Sequence, residues 1–135
     1  MENGPSDLNG KKVLLVEDDR SFAKIVESKL TKVGCGLMHA ENGNESLALL
    51  EKETPDAIIL DILLPGGMDG FAVLEKIKAN EKSKKIPVVI LSNLGELTDI
   101  DKGMSLGAFR YIVKASIVPN EIVGHVVAAV NSTIK

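Results

Sequence analysis

Polar side chains that could bind a metal ion and a phosphoryl group follow four apolar segments of the chain. They are Glu17 with Asp18, then Asp61, Ser92 and Lys114. Carboxylate oxygens suit Mg²⁺, a hard cation that takes few protein ligands and keeps several waters. The cation and a lysine ammonium could neutralise a phosphoryl group, and a hydroxyl could hydrogen-bond one of its oxygens. Asp61 would then be the nucleophile that forms an aspartyl phosphate.

Asp61 is a single carboxylate within an apolar segment, residues 57–65. Seven of the first eight residues of this segment are apolar, and Pro55 and Pro65 bound it. Such a segment is typical of a strand buried on both faces in a parallel sheet. A charge there is costly unless it is paired, bound to a metal, or placed at a strand end that faces a crevice. The alternative is a carboxylate that only caps a turn at the strand end.

Five apolar strands alternate with five amphipathic helices along the chain. The strands are predicted at residues 12–16, 37–40, 57–61, 86–91 and 109–113, and the helices at about residues 22–33, 44–53, 71–80, 96–106 and 119–131. This alternation predicts a parallel sheet with helices on both faces. Because the carboxyl ends of parallel strands share one edge, we expect the four polar positions to lie along one crevice.

Length and composition favour one α/β domain. Residues 1–10 are polar with Gly and Pro and are predicted to be a disordered lead-in, and residues 11–135 form the domain. The net charge of −3 argues against a nucleic-acid-binding face. Cys35 is the only cysteine, which excludes an intramolecular disulfide and suits the cytoplasm. No apolar run is long enough to span a bilayer.

Four motifs follow one another along the chain. They are Leu-Val-Glu17-Asp18-Asp19, Ile-Leu-Asp61-Ile-Leu-Leu-Pro65 with Met68-Asp69-Gly70, Val-Ile-Leu-Ser92, and Gly107-Ala-Phe-Arg-Tyr111-Ile-Val-Lys114. Each motif is weak alone, but in this order and at these spacings they resemble the receiver domains of bacterial two-component response regulators. The resemblance extends from about Lys12 to the last helix.

The resemblance implies a flavodoxin-like, doubly wound fold with strand order 2-1-3-4-5. It implies that Asp61 accepts the phosphoryl group and that Mg²⁺ is held by Glu17, Asp18, Asp61 and the backbone carbonyl of Leu63. Ser92, Lys114 and Tyr111 would bind the phosphoryl group and form the switch. Leu63 and Leu94 would flank the approach of the hydrolytic water. Asp19 lies one position past the acidic pair and is interpreted as a helix cap.

The function implied is a phosphorylation-activated signalling switch rather than a true enzyme. A partner phosphohistidine, on a histidine kinase or a histidine phosphotransfer protein, would supply the phosphoryl group. The signalling face would be the fourth helix, fifth strand and fifth helix, which would bind an output partner or a second copy of the chain. The sequence does not identify the kinase or the output.

Four positions depart from the family pattern without removing a reacting group. Gly66-Gly67 makes the loop after Asp61 one residue longer, and Asn93 replaces the usual small residue after the switch hydroxyl. Ala115 replaces the proline that commonly follows the lysine, and Phe109 stands where an acidic residue is frequent.

Three other functions fit the sequence less well than the switch. A haloacid-dehalogenase-like phosphatase also uses an Asp at a strand end with Mg²⁺, but it carries a second Asp where this chain has Leu63. A flavin carrier would need a Ser, Thr or Gly phosphate loop after the first strand, where Glu17 and Asp18 would repel phosphate. A degenerate receiver acting as a scaffold is disfavoured by the complete set of polar residues.

Overall fold

Five parallel strands form one sheet in the order β2-β1-β3-β4-β5. The structure is a computed structural model and describes residues 8–133. The strands are β1 (Lys12–Val16), β2 (Gly36–Ala40), β3 (Ala57–Leu60), β4 (Val88–Ser92) and β5 (Arg110–Val113). The predicted fold class and strand order are confirmed.

Five α-helices cover the two faces of this sheet. They are α1 (Arg20–Thr31), α2 (Gly43–Lys52), α3 (Gly70–Ala79), α4 (Leu97–Ser105) and α5 (Glu121–Asn131). The buried residues of α1 and α5 pack on one sheet face, against alternate residues of β1, β3 and β4. Those of α2 and α3 pack on the other face, where Gly103 of α4 lies close to Ile90 and Tyr111. The central strand β3 is therefore covered on both sides.

Side-chain caps fix where three of the helices begin. The carboxylate of Asp19 accepts a 3.1 Å hydrogen bond from the Phe22 N–H at the start of α1. Asn42 caps α2 and Asp69 caps α3 in the same way. Because these caps satisfy N–H groups that lack partners within the helix, they hold the loops that precede the helices close to the ends of the strands.

The structure differs from the sequence expectations at some boundaries. Leu8 is fully buried and the Gly10 N–H bonds to the Gly34 carbonyl at 3.1 Å, so the last part of the predicted disordered lead-in is ordered. Residues 1–7 lie outside the described residues, and the domain boundary stays a prediction. β4 begins at Val88 rather than Ile86, because Pro87 has no N–H to give to a strand ladder. Within residues 8–133, no helix combines the length and apolar character that crossing a membrane requires.

Candidate functional site

Three carboxylates come together where β1 and β3 end. Val16 is paired with Leu60 in the parallel register, and the Asp61 N–H bonds to the Val16 carbonyl at 3.1 Å, so the first residues past the two strands are neighbours. Carboxylate oxygens of Glu17, Asp18 and Asp61 all lie within 4.8 Å of one another. Glu17 and Asp61 are buried, at 1% and 4% exposure, whereas Asp18 is exposed. The crevice predicted from the strand ends is thus formed by these groups.

Lys114 forms an ion pair with each of the two buried carboxylates. Its Nζ lies 2.8 Å from Glu17 Oε1 and 3.0 Å from Asp61 Oδ2, and its side chain is only 11% exposed. Because β4 lies between β3 and β5, the lysine side chain extends past the end of β4 to reach Asp61. A buried ion pair of this kind is costly to break from one side, because an uncompensated buried charge remains.

Burial and pairing shift the pKa of two of these groups. Desolvation by burial raises the pKa of Glu17, against the opposing effect of the Lys114 ammonium and the Asp19 N–H. Burial alone would lower the pKa of Lys114, but its hydrogen bonds to Glu17 and Asp61 raise it above the ordinary value. Lys114 is therefore held as a cation at neutral pH.

The loop after Asp61 is shaped by its own backbone and by one glycine. Asp61 Oδ1 accepts a 3.2 Å hydrogen bond from the Leu63 N–H, so both oxygens of this carboxylate have partners. A Cβ at Gly70 would lie 2.6 Å from the Ile62 Cα and still closer to the Asp61 carbonyl. Because both neighbours are backbone atoms that cannot move aside, α3 can approach the end of β3 this closely only with glycine.

Ser92 and Tyr111 are joined through one residue of the loop after β4. The Leu94 N–H donates to Ser92 Oγ at 3.3 Å, and the Tyr111 hydroxyl donates to the Leu94 carbonyl at 2.7 Å. Ser92 is fully buried, and burial is the main cause that raises the pKa of Tyr111. Both residues lie on strands adjacent to the site, although neither bonds to Asp61 here. Their roles in a switch stay predictions.

The two leucines predicted to control water access differ in exposure. The side chain of Leu63 is 54% exposed beside Asp61, and Leu94 is half-buried. Neither carries a group that could orient a water. The Leu63 carbonyl belongs to the loop that turns around the Asp61 carboxylate, and its service as a metal ligand stays a prediction.

The donor set fits Mg²⁺. Three carboxylates are hard oxygen ligands, and the exposed position of Asp18 leaves one side of the cluster open to water, which Mg²⁺ retains. Within residues 8–133 this is the one cluster of three or more His, Cys, Asp or Glu side chains close enough to share a metal ion. The residues that could hold the cation are those predicted from the acidic pair and the central strand.

Two contacts at the site were not predicted from the sequence. The ring of Phe22, in the first turn of α1, lies 4.6 Å from Lys114 Nζ. His39 Nε2 lies 2.7 Å from the Glu17 carbonyl oxygen, at the end of the neighbouring strand β2. Both pairs are distant in the sequence, and no local spacing indicates them. The strand order, which puts β2 beside β1, could have suggested the histidine contact.

Two of the four departures from the family pattern have a local backbone conformation that accommodates them. Gly66 and Gly67 take φ values of +91° and +85°, a region that favours glycine, and so accommodate the longer loop. Residues Lys114–Ser116 form a 3₁₀ turn, and residues 8–133 contain no cis peptide bond.

Comparison with known proteins agrees with this geometry. The family model described as "Response regulator receiver domain" matches residues 13–126. "Probable transcriptional regulator ycf27" of Guillardia theta is 38% identical over 125 residues, which is 93% of this chain and 47% of that protein. The chain spans less than half the length of the ycf27 relatives that it matches.

Solved structures show the same likeness in three dimensions. The signal receiver domain of a signal transduction histidine kinase from Syntrophus aciditrophicus is 30% identical with a TM-score of 0.82, and the match covers 93% of each chain. The phosphorylated cyanobacterial phytochrome response regulator RcpA is 30% identical with a TM-score of 0.76, covering 93% of this chain and 94% of that one. The strand-end carboxylates, the paired lysine, the sheet order and these matches lead to one conclusion: the chain belongs to the response regulator receiver domain family.

Proposed function

We propose that this receiver domain is a phosphorylation-activated switch that accepts a phosphoryl group on Asp61. The observation that carries the proposal is the pairing of Asp61 with Lys114 inside a cluster of three carboxylates at the end of the central strand. Stability alone does not explain these buried charges, because well-packed apolar residues often replace a buried ion pair without loss of stability. The arrangement suits a site that must bring a nucleophile to a phosphoryl group.

The proposed reaction transfers a phosphoryl group from a partner phosphohistidine. A carboxylate oxygen of Asp61 attacks the phosphorus, a new O–P bond forms, and the P–N bond to the donor imidazole breaks. The imidazole nitrogen keeps the electron pair and takes up a proton. Lys114 neutralises charge on the phosphoryl oxygens, and the Leu63 N–H orients the carboxylate. Such transfers depend mainly on positioning and charge stabilisation.

Glu17, Asp18 and Asp61, with the Leu63 carbonyl, would hold Mg²⁺. When bound, the cation would neutralise negative charge between the carboxylates and the incoming phosphoryl group. Asp18 is the carboxylate of the acidic pair that has no lysine partner, since Lys114 bonds to Glu17 and Asp61. We therefore assign Asp18 the larger share of metal binding and Glu17 the smaller.

The proposed output is a change of the surface formed by α4, β5 and α5. Ser92 would turn its hydroxyl to the phosphoryl group, and Tyr111 would respond through Leu94, to which both residues are hydrogen-bonded. A histidine kinase or histidine phosphotransfer protein is the proposed donor, and an output protein or a second copy of the chain is the proposed receiver of the signal. The phosphorylated state of the relative RcpA supports the switch.

A small phosphodonor tests this proposal without knowledge of the kinase. The purified chain is incubated with phosphoramidate, which carries a P–N bond, with Mg²⁺ or with a chelator, and its intact mass is followed. We expect one added phosphoryl group that requires Mg²⁺ and is absent in Asp61→Asn. Asp69→Asn is the control, because asparagine caps a helix as well as aspartate does. Labelling of Asp61→Asn at the wild-type rate would contradict the proposal.

A further inference from the structure

Lys114 has a third neighbour besides its two carboxylates. The ring of Phe22 lies 4.6 Å from Lys114 Nζ, measured to the ring centroid. The lysine side chain is 11% exposed, so the ammonium is largely removed from water. A cation this close to an aromatic face is attracted by the ring quadrupole, and the attraction grows as water is excluded.

The position of Phe22 is coupled to the carboxylates that Lys114 binds. The Phe22 N–H donates to the Asp19 carboxylate at 3.1 Å, and the Asp19 N–H donates to Glu17 Oε2 at 3.1 Å. The other oxygen of Glu17 bonds to Lys114. The first turn of α1 thus fixes both the ring and one carboxylate around the same ammonium.

Phe22 also packs at the edge of the core between the sheet and α1. If filling this space were its whole role, an aliphatic side chain would serve equally well. An ordinary strand-end lysine could reach either carboxylate with several side-chain conformations, because its four-carbon stem is flexible. A ring over the ammonium reduces that freedom at the place where the phosphoryl group must bind.

We propose that Phe22 is a positioning residue for the phosphorylation site, holding the Lys114 ammonium against Asp61 through its aromatic face. This inference rests on the proposed function only where it is tested by the rate of phosphorylation. Phe22 does not touch the reacting atoms. It acts through Lys114, and its effect depends on aromaticity rather than on apolar volume.

The test compares Phe22→Leu with Phe22→Tyr and with the matched control Phe109→Leu. Phe109 packs on the same core cluster and lies 5.2 Å from the Arg110 guanidinium, at the opposite end of β5 from Lys114. The initial rate of phosphorylation by phosphoramidate with Mg²⁺ is measured for each. We expect Phe22→Leu to slow the reaction by about threefold to tenfold, and Phe22→Tyr and Phe109→Leu to stay near the wild-type rate. A wild-type rate in Phe22→Leu, or an equal loss in Phe22→Tyr, would overturn the inference.

A second readout needs no phosphodonor and separates this inference from the proposed function. In the NMR spectrum, the Lys114 Cε protons of the wild type should show an upfield ring-current shift. The shift should persist in Phe22→Tyr and Phe109→Leu and disappear in Phe22→Leu. If the wild type shows no such shift, the ring does not hold the ammonium and the inference fails, whatever the activity. If the shift is present and is lost in Phe22→Leu, but the wild type is not phosphorylated, the proposed function fails while the placement of the Lys114 ammonium by the Phe22 ring stands. Phe22→Met serves in the same comparison if Phe22→Leu does not fold.

Discussion

Leu94 is hydrogen-bonded through both of its backbone groups to Ser92 and Tyr111, two residues of the predicted switch. Its N–H donates to Ser92 Oγ at 3.3 Å, and its carbonyl accepts from the Tyr111 hydroxyl at 2.7 Å. The buried end of β4 is therefore connected to the ring on β5 by a single residue. A rotation of the Ser92 hydroxyl would change its hydrogen bond to the Leu94 N–H. A resulting shift of Leu94 would then change the hydrogen bond from the Tyr111 hydroxyl to the Leu94 carbonyl.

Phosphorylation should accordingly alter amide hydrogen exchange within residues 92–130. We expect the change to be smaller in Tyr111→Phe, which keeps the ring but loses the bond to Leu94. Exchange is measured with and without phosphodonor in Mg²⁺. A change that appears elsewhere in the chain and not in residues 92–130 would refute the assignment of the signalling face.

Mg²⁺ affinity should depend more on Asp18 than on Glu17. Asp18→Asn is expected to weaken binding by about tenfold or more, because an exposed carboxylate of the cluster is lost. Glu17→Gln should weaken it less, since that carboxylate already bonds to Lys114 and to the Asp19 N–H. Calorimetric titration measures both, with Asp69→Asn as the control. Unchanged affinity in Asp18→Asn would mean that the acidic pair serves only the start of α1.

The aspartyl phosphate should hydrolyse slowly by itself. Hydrolysis needs a water in line with the phosphorus, and neither Leu63 nor Leu94 can hydrogen-bond one into place. The double variant Leu63→Asn with Leu94→Glu should speed hydrolysis by about tenfold, or ~1.4 kcal/mol of barrier. Decay of the phosphorylated mass after donor removal measures the rate. A wild type that decays as fast as the double variant would show that these leucines do not control water access.

His125 should contribute to a loss of stability at acidic pH. Burial, and then the charge of Arg110 at 2.9 Å, lower its pKa in the folded state below the ordinary value of 6.5, and Glu121 opposes them. The unfolded chain therefore binds a proton more readily, so the stabilising contribution is complete above pH 6.5 and is lost as the pH falls below it. Denaturant unfolding from pH 7.5 to 5 should show a shallower decline in His125→Gln than in the wild type. If stability declined equally steeply with falling pH in both proteins, His125 would not be a source of the acid sensitivity.

Much of the fold followed from the sequence because β3 and β4 are buried at every position and β1 at all but its first. A segment such as Ala57–Leu60, which is apolar at every position, is typical of a central strand that is covered on both faces of a parallel sheet. The alternation of strands and helices predicts a parallel sheet but leaves the order of strands open. The order came from the resemblance to receiver domains, and the paired residues Val16 and Leu60 agree with it.

Site residues that directly follow a strand could be predicted from the sequence. Contacts between residues that are distant in the sequence could not. The sequence places Asp61 and Lys114 at strand ends, and the structure brings their side chains to 3.0 Å. That Lys114 bonds to two carboxylates, and that Phe22 covers it, depends on how far β5 and the first turn of α1 lie from β3. Packing of the whole domain sets those distances, and the spacing of residues along the sequence does not indicate them. Leu8 was missed for the same reason, since a lone apolar residue in a polar segment does not reveal the core that it enters.

The most direct test of the account is to locate the phosphoryl group on the chain. The protein is phosphorylated by phosphoramidate with Mg²⁺ and then reduced with borohydride, which converts an aspartyl phosphate to homoserine, and its peptides are sequenced by mass spectrometry. We predict homoserine at position 61 and unmodified aspartate at positions 18, 19 and 69. Homoserine at one of those positions with aspartate retained at 61, or a phosphoryl group that borohydride does not remove, would contradict the assignment of Asp61 as the phosphoacceptor.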